Sequence, residues 1–440
     1  MLTLRYIFRL ISAFFSRFKV LIVLGILTGV ILFFIISLII PALGAQKPRK
    51  IGITGRFTPA TLPNSVVSLI GDGLTKITPS GDVEPALAKS WETPDKGKTW
   101  IFTLDENKVW QDGKKVTSDT INYQFSDLTI ERPDEKTVTF KLQNPYSPFV
   151  SVVSKPVFKK GLLGTGSWKV EKISVSGEFV SQINLENENK ERIIYKFYPS
   201  EERTKLAFRL GEVDEVENLI NAKPLDTWEN LSLNKETETG EYVALFFNTQ
   251  DKNLSEKNLR QALAYAIDKD SLGDKRAISP ISEASWAFNP QVKPYTYDPE
   301  KAKKTIDDLP DEAKENLSIN LATSSLLLDK AEKIAKEWEA IGVKTNVQVY
   351  TVLPSDYQAL LAIFDVPEDP DQYSIWHSTQ TSTNITKYSS PRIDKLLEDG
   401  RTELSIEERR KIYLDFQRFL VEDSPAIFLY YPTTYNFTRR

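Results

Sequence analysis

A chain of 440 residues with no cysteine and a single histidine, His377, has no disulfide framework, no thiolate nucleophile and no Cys/His zinc site, and any Ser-His-Asp triad would have to run through His377. Its length fits two or three domains, and its 41% hydrophobic residues are enough to fill their cores. Seven of the 56 Lys and Arg fall in residues 1–50, which hold no Asp or Glu, so the remainder, 49 basic against 60 acidic, carries about −11, a balance that argues against nucleic-acid binding.

At the start of the chain, Arg5, Arg9, Arg17 and Lys19 punctuate an apolar background (Leu2, Leu4, Phe8, Leu10, Ile11, Phe14, Phe15, Phe18) at near-helical spacing. Residues 1–19 therefore read as an interfacial, cytoplasmic segment. Residues 20–44 carry no charge and are apolar almost throughout. At about 1.5 Å per residue they can cross a hydrocarbon core of about 30 Å, and they exceed the apolar run of roughly 7–15 residues in a cleaved signal. The expectation is one retained transmembrane helix in the cell membrane. Cleavage after Gly44 is the alternative, because Ala42 and Gly44 are small. Basic residues favour the cytoplasmic side, which leaves 45–440 extracytoplasmic, although Lys47, Arg49 and Lys50 flank the other end. Residues 45–50 form a linker. The absence of cysteine is compatible with an exposed compartment and removes the acylated-cysteine anchor.

Past the linker, strands and helices mix without a repeat of 20–50 residues, which disfavours a solenoid or propeller. KTWIFTL (98–104) alternates Trp100, Phe102 and Leu104, and KTVTFKL (136–142) alternates Val138, Phe140 and Leu142. Period two predicts half-buried strands. Gly164-Thr165-Gly166-Ser167 lacks the Lys-Ser/Thr of a phosphate loop and reads as a turn before a strand at 168–170. Ser255 precedes a helix with Leu259, Ala262, Leu263, Ala266 and Ile267 on one stripe. Asp298 with Pro299 predicts an N-cap and first-turn proline ahead of Ala302, Ile306 and Leu309. Gly342 is expected to end a helix holding Ile334, Trp338 and Ile341, with a strand at 345–350 after it. Ser405 and Glu408 form a capping-box pattern before Ile412, Phe416, Phe419 and Leu420. Such a mixture places the fold in the α/β or α+β class.

The order of local patterns carries a resemblance. In the first half stand PALAKSWE (85–92), KVWQDGKKVTSDTINYQF (108–125), NPYSPF (144–149) and GTGSWKV (164–170). RLGEVDEVENL (209–219), FFNTQDKNLSEKNLRQALAYAIDKDSL (246–272) and YDPEKAKKTI (297–306) follow. AEKIAKEWEAIGVKTNVQV (331–349), EDPDQYSIWHS (368–378) and the stretch 389–431 complete the series. Collinear over about 70–431, the set resembles the solute-binding proteins of ABC importers, family 5, the oligopeptide- and dipeptide-binding group. The resemblance implies an α/β, two-lobed clamshell of periplasmic-binding-protein type with a discontinuous first lobe. Lobe 1 would comprise 51–245 with 425–440 returning to it through the strand AIFLYY, and lobe 2 would comprise 246–424. The interval between INYQF and KTVTFKL is short for the family, so the small part of lobe 1 is expected to be trimmed.

A peptide brings an ammonium group and an extended backbone, so a pocket serving many sequences needs a carboxylate and backbone hydrogen bonds. The resemblance implies that the carboxylate comes from a loop matching Phe364-Asp365-Val366-Pro367-Glu368-Asp369-Pro370-Asp371-Gln372-Tyr373. Asp365, one position out of register, is the first choice, then Asp369 or Asp371. The competing account is a solvated acidic loop shaped by Pro367 and Pro370. A calcium loop would need a glycine and a distal glutamate that are missing here. Trp376 is either a cleft wall or core packing, Asn248 (with Phe247 and Thr249) either a ligand contact or a turn cap, and Trp286 either a cleft wall or core. His377, which could also line the cleft, reads as a structural or exposed imidazole rather than a metal ligand.

These residues describe a receptor and not an enzyme: nothing places two carboxylates across a pocket as glycoside hydrolysis would need. The expected partners are a peptide ligand, an ABC permease with its ATPase, and the membrane through the N-terminal helix, with no nucleic acid, cofactor or metal. The same architecture also serves oligosaccharides, nickel chelates, haem, or ligand sensing. Nickel and haem favour imidazole or sulfur ligands, and this chain offers only His377.

Overall fold

The computed structural model describes residues 4–44, 47–310, 314, 317–352 and 357–440. The expected cytoplasmic residues 1–3 and linker residues 45–46 lie outside these, and so does Leu2 of the apolar background. A helix runs Leu4–Gly44. Among the described residues, no single helix is long and apolar enough to cross a membrane, but Ala13–Leu21 and Val23–Phe34, bent by 48°, pass that test together. Phe14, Phe15, Leu21, Phe33 and Phe34 are exposed on it.

Two large sheets organise the rest. Seven strands lie in the order Leu231–Thr237, Thr433–Arg439, Glu215–Leu219, Arg49–Thr54, Arg192–Tyr198, Phe179–Asn187 and Trp168–Ser176. Ile51, Ile53, Ile183, Leu185 and Tyr195 fill one of its cores, and Phe208, Val213, Val216 and Phe437 another. Six strands form the second sheet in the order Lys275–Arg276, Ala426–Tyr431, Glu241–Phe247, Ala359–Asp365, Ser318–Thr323 and Lys344–Val349. Helices Lys257–Tyr265, Leu328–Ala340 and Ile406–Asp423 bury their apolar stripes in the core of this second unit.

A smaller four-stranded sheet carries the two period-two segments. Thr99–Leu104 pairs antiparallel with Thr137–Leu142, setting Trp100 opposite Phe140 and Phe102 opposite Val138. Phe102, Phe140 and Phe149 pack ring to ring beneath it. Helix signals mostly act as expected. Asp298 accepts from the Lys301 N–H at 3.0 Å, and Ser405 accepts from the Glu408 N–H at 3.4 Å. Gly342, at φ +91, follows the helix ending at Ala340. Ser255 differs: its hydroxyl donates to the Lys252 carbonyl, and the helix starts at Lys257 without a side-chain cap.

The topology corrects the expected division of the chain. Ala426–Tyr431 was expected to return to lobe 1, but it pairs with Glu241–Phe247 inside the second sheet. All six of its residues are buried, as suits a strand covered on both faces. After Pro432 it is Thr433–Arg439 that joins the first sheet, between Leu231–Thr237 and Glu215–Leu219. Likewise Glu241–Leu245, expected in lobe 1, belongs to the second sheet. The chain therefore crosses between the sheets at 238–240 and at Pro432, and these crossings lie side by side, with the Glu238 N–H donating to the Pro432 carbonyl at 2.9 Å.

Candidate functional site

Between the two units lies a cleft of about 1790 Å³. That is well above the roughly 300–1,000 Å³ of ordinary small-molecule pockets. One wall comes from residues 59–77 and 146–175 of the first unit, and the other from Val366–Ser374 and Arg401 of the second.

Of the expected ligand-binding residues, Asp369 and Asp371 line this cleft. Neither carboxylate is free. Arg409, buried on its helix, donates to Asp369 with two nitrogens at 2.7 and 3.3 Å, while Arg401 Nε donates to Asp371 at 3.0 Å. Each acid also accepts a hydroxyl from across the cleft: Ser151 at 3.2 Å on Asp369, and Tyr146 at 3.3 Å on Asp371. Burial pushes the Asp371 carboxyl up against the pull of Arg401. Burial also opposes the charge of Arg409, but Asp369 and Tyr413 more than offset it and hold the guanidinium above its ordinary range. Burial and then Asp371 push the Tyr146 phenol up. The two acids thus tie the units together. A backbone bond from the Ser147 N–H to the Arg401 carbonyl at 2.7 Å adds to the seam.

The remaining candidates are placed elsewhere. Asp365 is exposed at the end of its strand, directly opposite Glu241, and Val366 lines the cleft in its stead. A shift of one residue along a strand changes which side chain faces inward. Trp376 is 1% exposed in the core, donating from Nε1 to Gln372 at 3.1 Å. Phe247 is fully buried against Trp338. Asn248 caps a turn, accepting from the Gln250 N–H at 3.2 Å and donating to the Tyr357 carbonyl at 3.2 Å, and Thr249 donates to the Thr386 carbonyl. Trp286 is half-buried behind the Asp369 pair, with the Arg409 guanidinium 5.4 Å from its ring centroid and its backbone N–H donating to the Ser80 carbonyl. His377 is buried, stacked on Tyr373 at 4.0 Å and hydrogen-bonded to Thr379, as expected of a structural imidazole.

Glu241 is a much weaker acid than an ordinary glutamate. Burial first, then the charges of Asp365 opposite and Glu238 nearby, push its carboxyl up to about 7. The folded form therefore holds the proton more tightly than the unfolded chain. Its contribution to stability is complete below about 4.5 and is lost as pH rises through about 7. Glu241→Gln should match the parent at pH 5 and exceed it at pH 8 by about 1–2 kcal/mol, after discounting the full shift for solvent screening. Urea unfolding across that range checks this, and parallel curves for the two proteins would refute it.

Sequence reasoning missed several cleft residues. Asp72 is half-buried on the first wall and accepts from the Thr165 hydroxyl at 2.8 Å. Lys155, Lys160 and Lys169 line the same wall and make no ion pair among the described residues, while Lys76 pairs with Glu84 at 3.0 Å. The signal was the Gly-Thr-Gly-Ser segment, whose partner, residues 70–72 at the end of the helix Asn64–Ile70, lies too far away in sequence to be foreseen.

Comparisons with known proteins agree on one group. The profile of the bacterial extracellular solute-binding proteins, family 5 (middle part), matches residues 82–384. The probable D,D-dipeptide-binding periplasmic protein DdpA of Escherichia coli K12 is 24% identical over 80% of each chain. Among solved structures, NikZ from Campylobacter jejuni in complex with Ni(L-His) superposes with a TM-score of 0.73 at 24% identity, over 89% of this chain and 94% of that one. AppA from Bacillus subtilis in complex with a nonapeptide gives 0.68 at 20% identity, over 90% and 95%.

Proposed function

The chain belongs to the bacterial extracellular solute-binding proteins of family 5, binding receptors of ABC importers and not enzymes, and from that premise we propose that its solute is a peptide. The observation that carries this reading is the cleft. It is large, shared by two units joined at two adjacent crossings, and lined by a mixture of polar, charged and apolar residues. An extended peptide uses such a space through main-chain hydrogen bonds with little demand on its side chains. No tryptophan lines the cleft among the described residues, which disfavours sugar stacking. The single histidine is buried outside it, which disfavours metal ligation by the protein.

Binding would work by population shift. A ligand that touches both walls favours the closed arrangement by its differential affinity alone, and a permease with its ATPase would recognise that arrangement. The bent pair Ala13–Leu21 and Val23–Phe34 within Leu4–Gly44 is proposed as a single-pass tether that keeps residues 45–440 on the extracytoplasmic side, near the permease.

Full-length protein in detergent, titrated with alanine peptides of three to nine residues, tests the reading. A peptide at 100 times its Kd should raise unfolding free energy by about 2.7 kcal/mol. No stabilisation by any peptide, alongside stabilisation by a nickel–histidine chelate, would replace the proposal with a metal-chelate receptor.

A further inference from the structure

We propose that Arg401 is a latch between the two units: its guanidinium, clasped between Tyr146 of the first and Tyr373 of the second, adds the same bias toward closure whatever solute occupies the cleft. The inference rests on the receptor reading and deepens it, and it does not require the solute to be a peptide.

The clasp is built from both walls. The Arg401 guanidinium lies 4.9 Å from the Tyr146 ring centroid and 4.1 Å from that of Tyr373. Its Nε donates to Asp371 Oδ2 at 3.0 Å, and the Tyr146 hydroxyl donates to the same oxygen at 3.3 Å. One carboxylate oxygen therefore holds both the cation and the ring from the opposite wall. The other oxygen, Oδ1, accepts from the Tyr373 N–H at 3.1 Å, which fixes the second ring relative to the first. The main chain completes the grip, because the Ser147 N–H donates to the Arg401 carbonyl at 2.7 Å. Two successive residues of the first unit thus hold Arg401 at its side chain and at its backbone.

Each jaw is anchored in its own unit. The Tyr146 N–H donates to the Gly97 carbonyl at 3.0 Å, which also accepts from Trp100 Nε1 at 3.1 Å, and the Tyr146 ring packs on the core of the small sheet. A Cβ on Gly97, at φ +92, would lie 3.4 Å from the Tyr146 nitrogen and 3.5 Å from a Leu404 methyl, so this turn backs Tyr146 and touches the second unit at once. Tyr373 stacks on the buried His377. The loop that carries Asp371 and Tyr373 starts at a crossing between the units, where the Val366 N–H donates to the Gly240 carbonyl at 2.7 Å. Rotation about the crossings that parts the two walls must pull Tyr146 off Arg401. Every partner in the clasp belongs to the chain, and Arg401 and Asp371 neutralise each other within it. Its contribution to closure is a constant, and a constant shift of a two-state equilibrium scales all apparent affinities by one factor.

The test exploits the absence of cysteine. Lys89→Cys on the small sheet and Glu407→Cys on the helix Ile406–Asp423, both exposed, each take one spin label in the full chain in detergent. Double electron–electron resonance then reads the distance between the units with no solute added. Tyr146→Ala should shift the ratio of short to long distances at least about tenfold toward long. Arg401→Gln with Asp371→Asn, which removes both charges and strands neither, should do the same. Lys395→Met, which breaks an exposed ion pair one and a half turns away on the same helix, should leave the distribution unchanged. Calorimetric titration with the alanine peptides and with the nickel–histidine chelate should show every solute that binds weakened by a common factor, within about twofold. A distribution that neither latch variant moves to longer distances overturns the latch, and so do losses that differ widely between solutes, which would make Arg401 a direct solute contact. Failure of every peptide removes the peptide reading alone, because the distances still decide the latch.

Discussion

Arg409→Met should cost about 3–5 kcal/mol of unfolding free energy, the largest loss expected from any single charged side chain in the cleft region. The Arg409 side chain is 6% exposed and that of Asp369 13% exposed. Removing the guanidinium leaves a carboxylate that is largely cut off from water with only the Ser151 hydroxyl and the Asp371 N–H to satisfy it. The same change removes the Arg409 Nε donor 3.0 Å from the Gly400 carbonyl and leaves that carbonyl the longer bond from the Ser147 hydroxyl at 3.4 Å. Arg409→Met with Asp369→Asn should recover most of the loss, because it removes the stranded charge together with its partner. An exposed pair on the same helix gives the control: Lys411 and Glu408 are 69% and 52% exposed, and Lys411→Met should change stability by less than about 1 kcal/mol. Urea unfolding of the three variants decides the matter. A cost below about 1 kcal/mol for Arg409→Met would mean that the pair is effectively solvated and ties nothing.

The Asp369–Arg409 pair also shows where sequence reasoning stops. The acidic loop was singled out by the family resemblance, and the loop does enter the cleft. Its arginines stand 30 and 40 residues further on, on helices whose other positions are ordinary, so nothing local announces that both charges are already matched. Period-two alternation marked Thr99–Leu104 and Thr137–Leu142 as strands, because Trp100, Phe102 and Leu104 in the first and Val138 and Phe140 in the second are buried. In Ala426–Tyr431 every residue is buried, so the pattern marks a strand but carries no information about which sheet receives it. Asp298 and Ser405 were legible as caps because a cap is a contact three residues long. Asp72 and Thr165 are 93 residues apart, and only the folded arrangement of two glycine-flanked turns brings them together. The sequence pattern thus resolves elements and their order, while the charge state of the cleft depends on distant partners.

Trp376→Ala should likewise destabilise the protein by about 3–5 kcal/mol, and it should do so without changing what the cleft binds. The ring is enclosed in the second unit's core, 6.4 Å from both the Phe246 and Phe428 ring centroids. Its truncation removes buried aromatic area and leaves a cavity that the sheet carrying Phe246 and Phe428 cannot close. It also strands Gln372 Oε1, whose amide nitrogen has no partner among the described residues. Trp376→Phe separates these contributions. It keeps most of the ring packing and loses the hydrogen bond, for an expected cost of about 1–3 kcal/mol. Had Trp376 formed a cleft wall, both variants would weaken peptide binding more than they weaken the fold. With the ring in the core, a saturating peptide should stabilise the folded fraction of each variant by the same increment as the parent. Unfolding midpoints measured with and without peptide distinguish the two cases, and an alanine variant that kept its stability while losing its peptide response would put the indole back in the binding site.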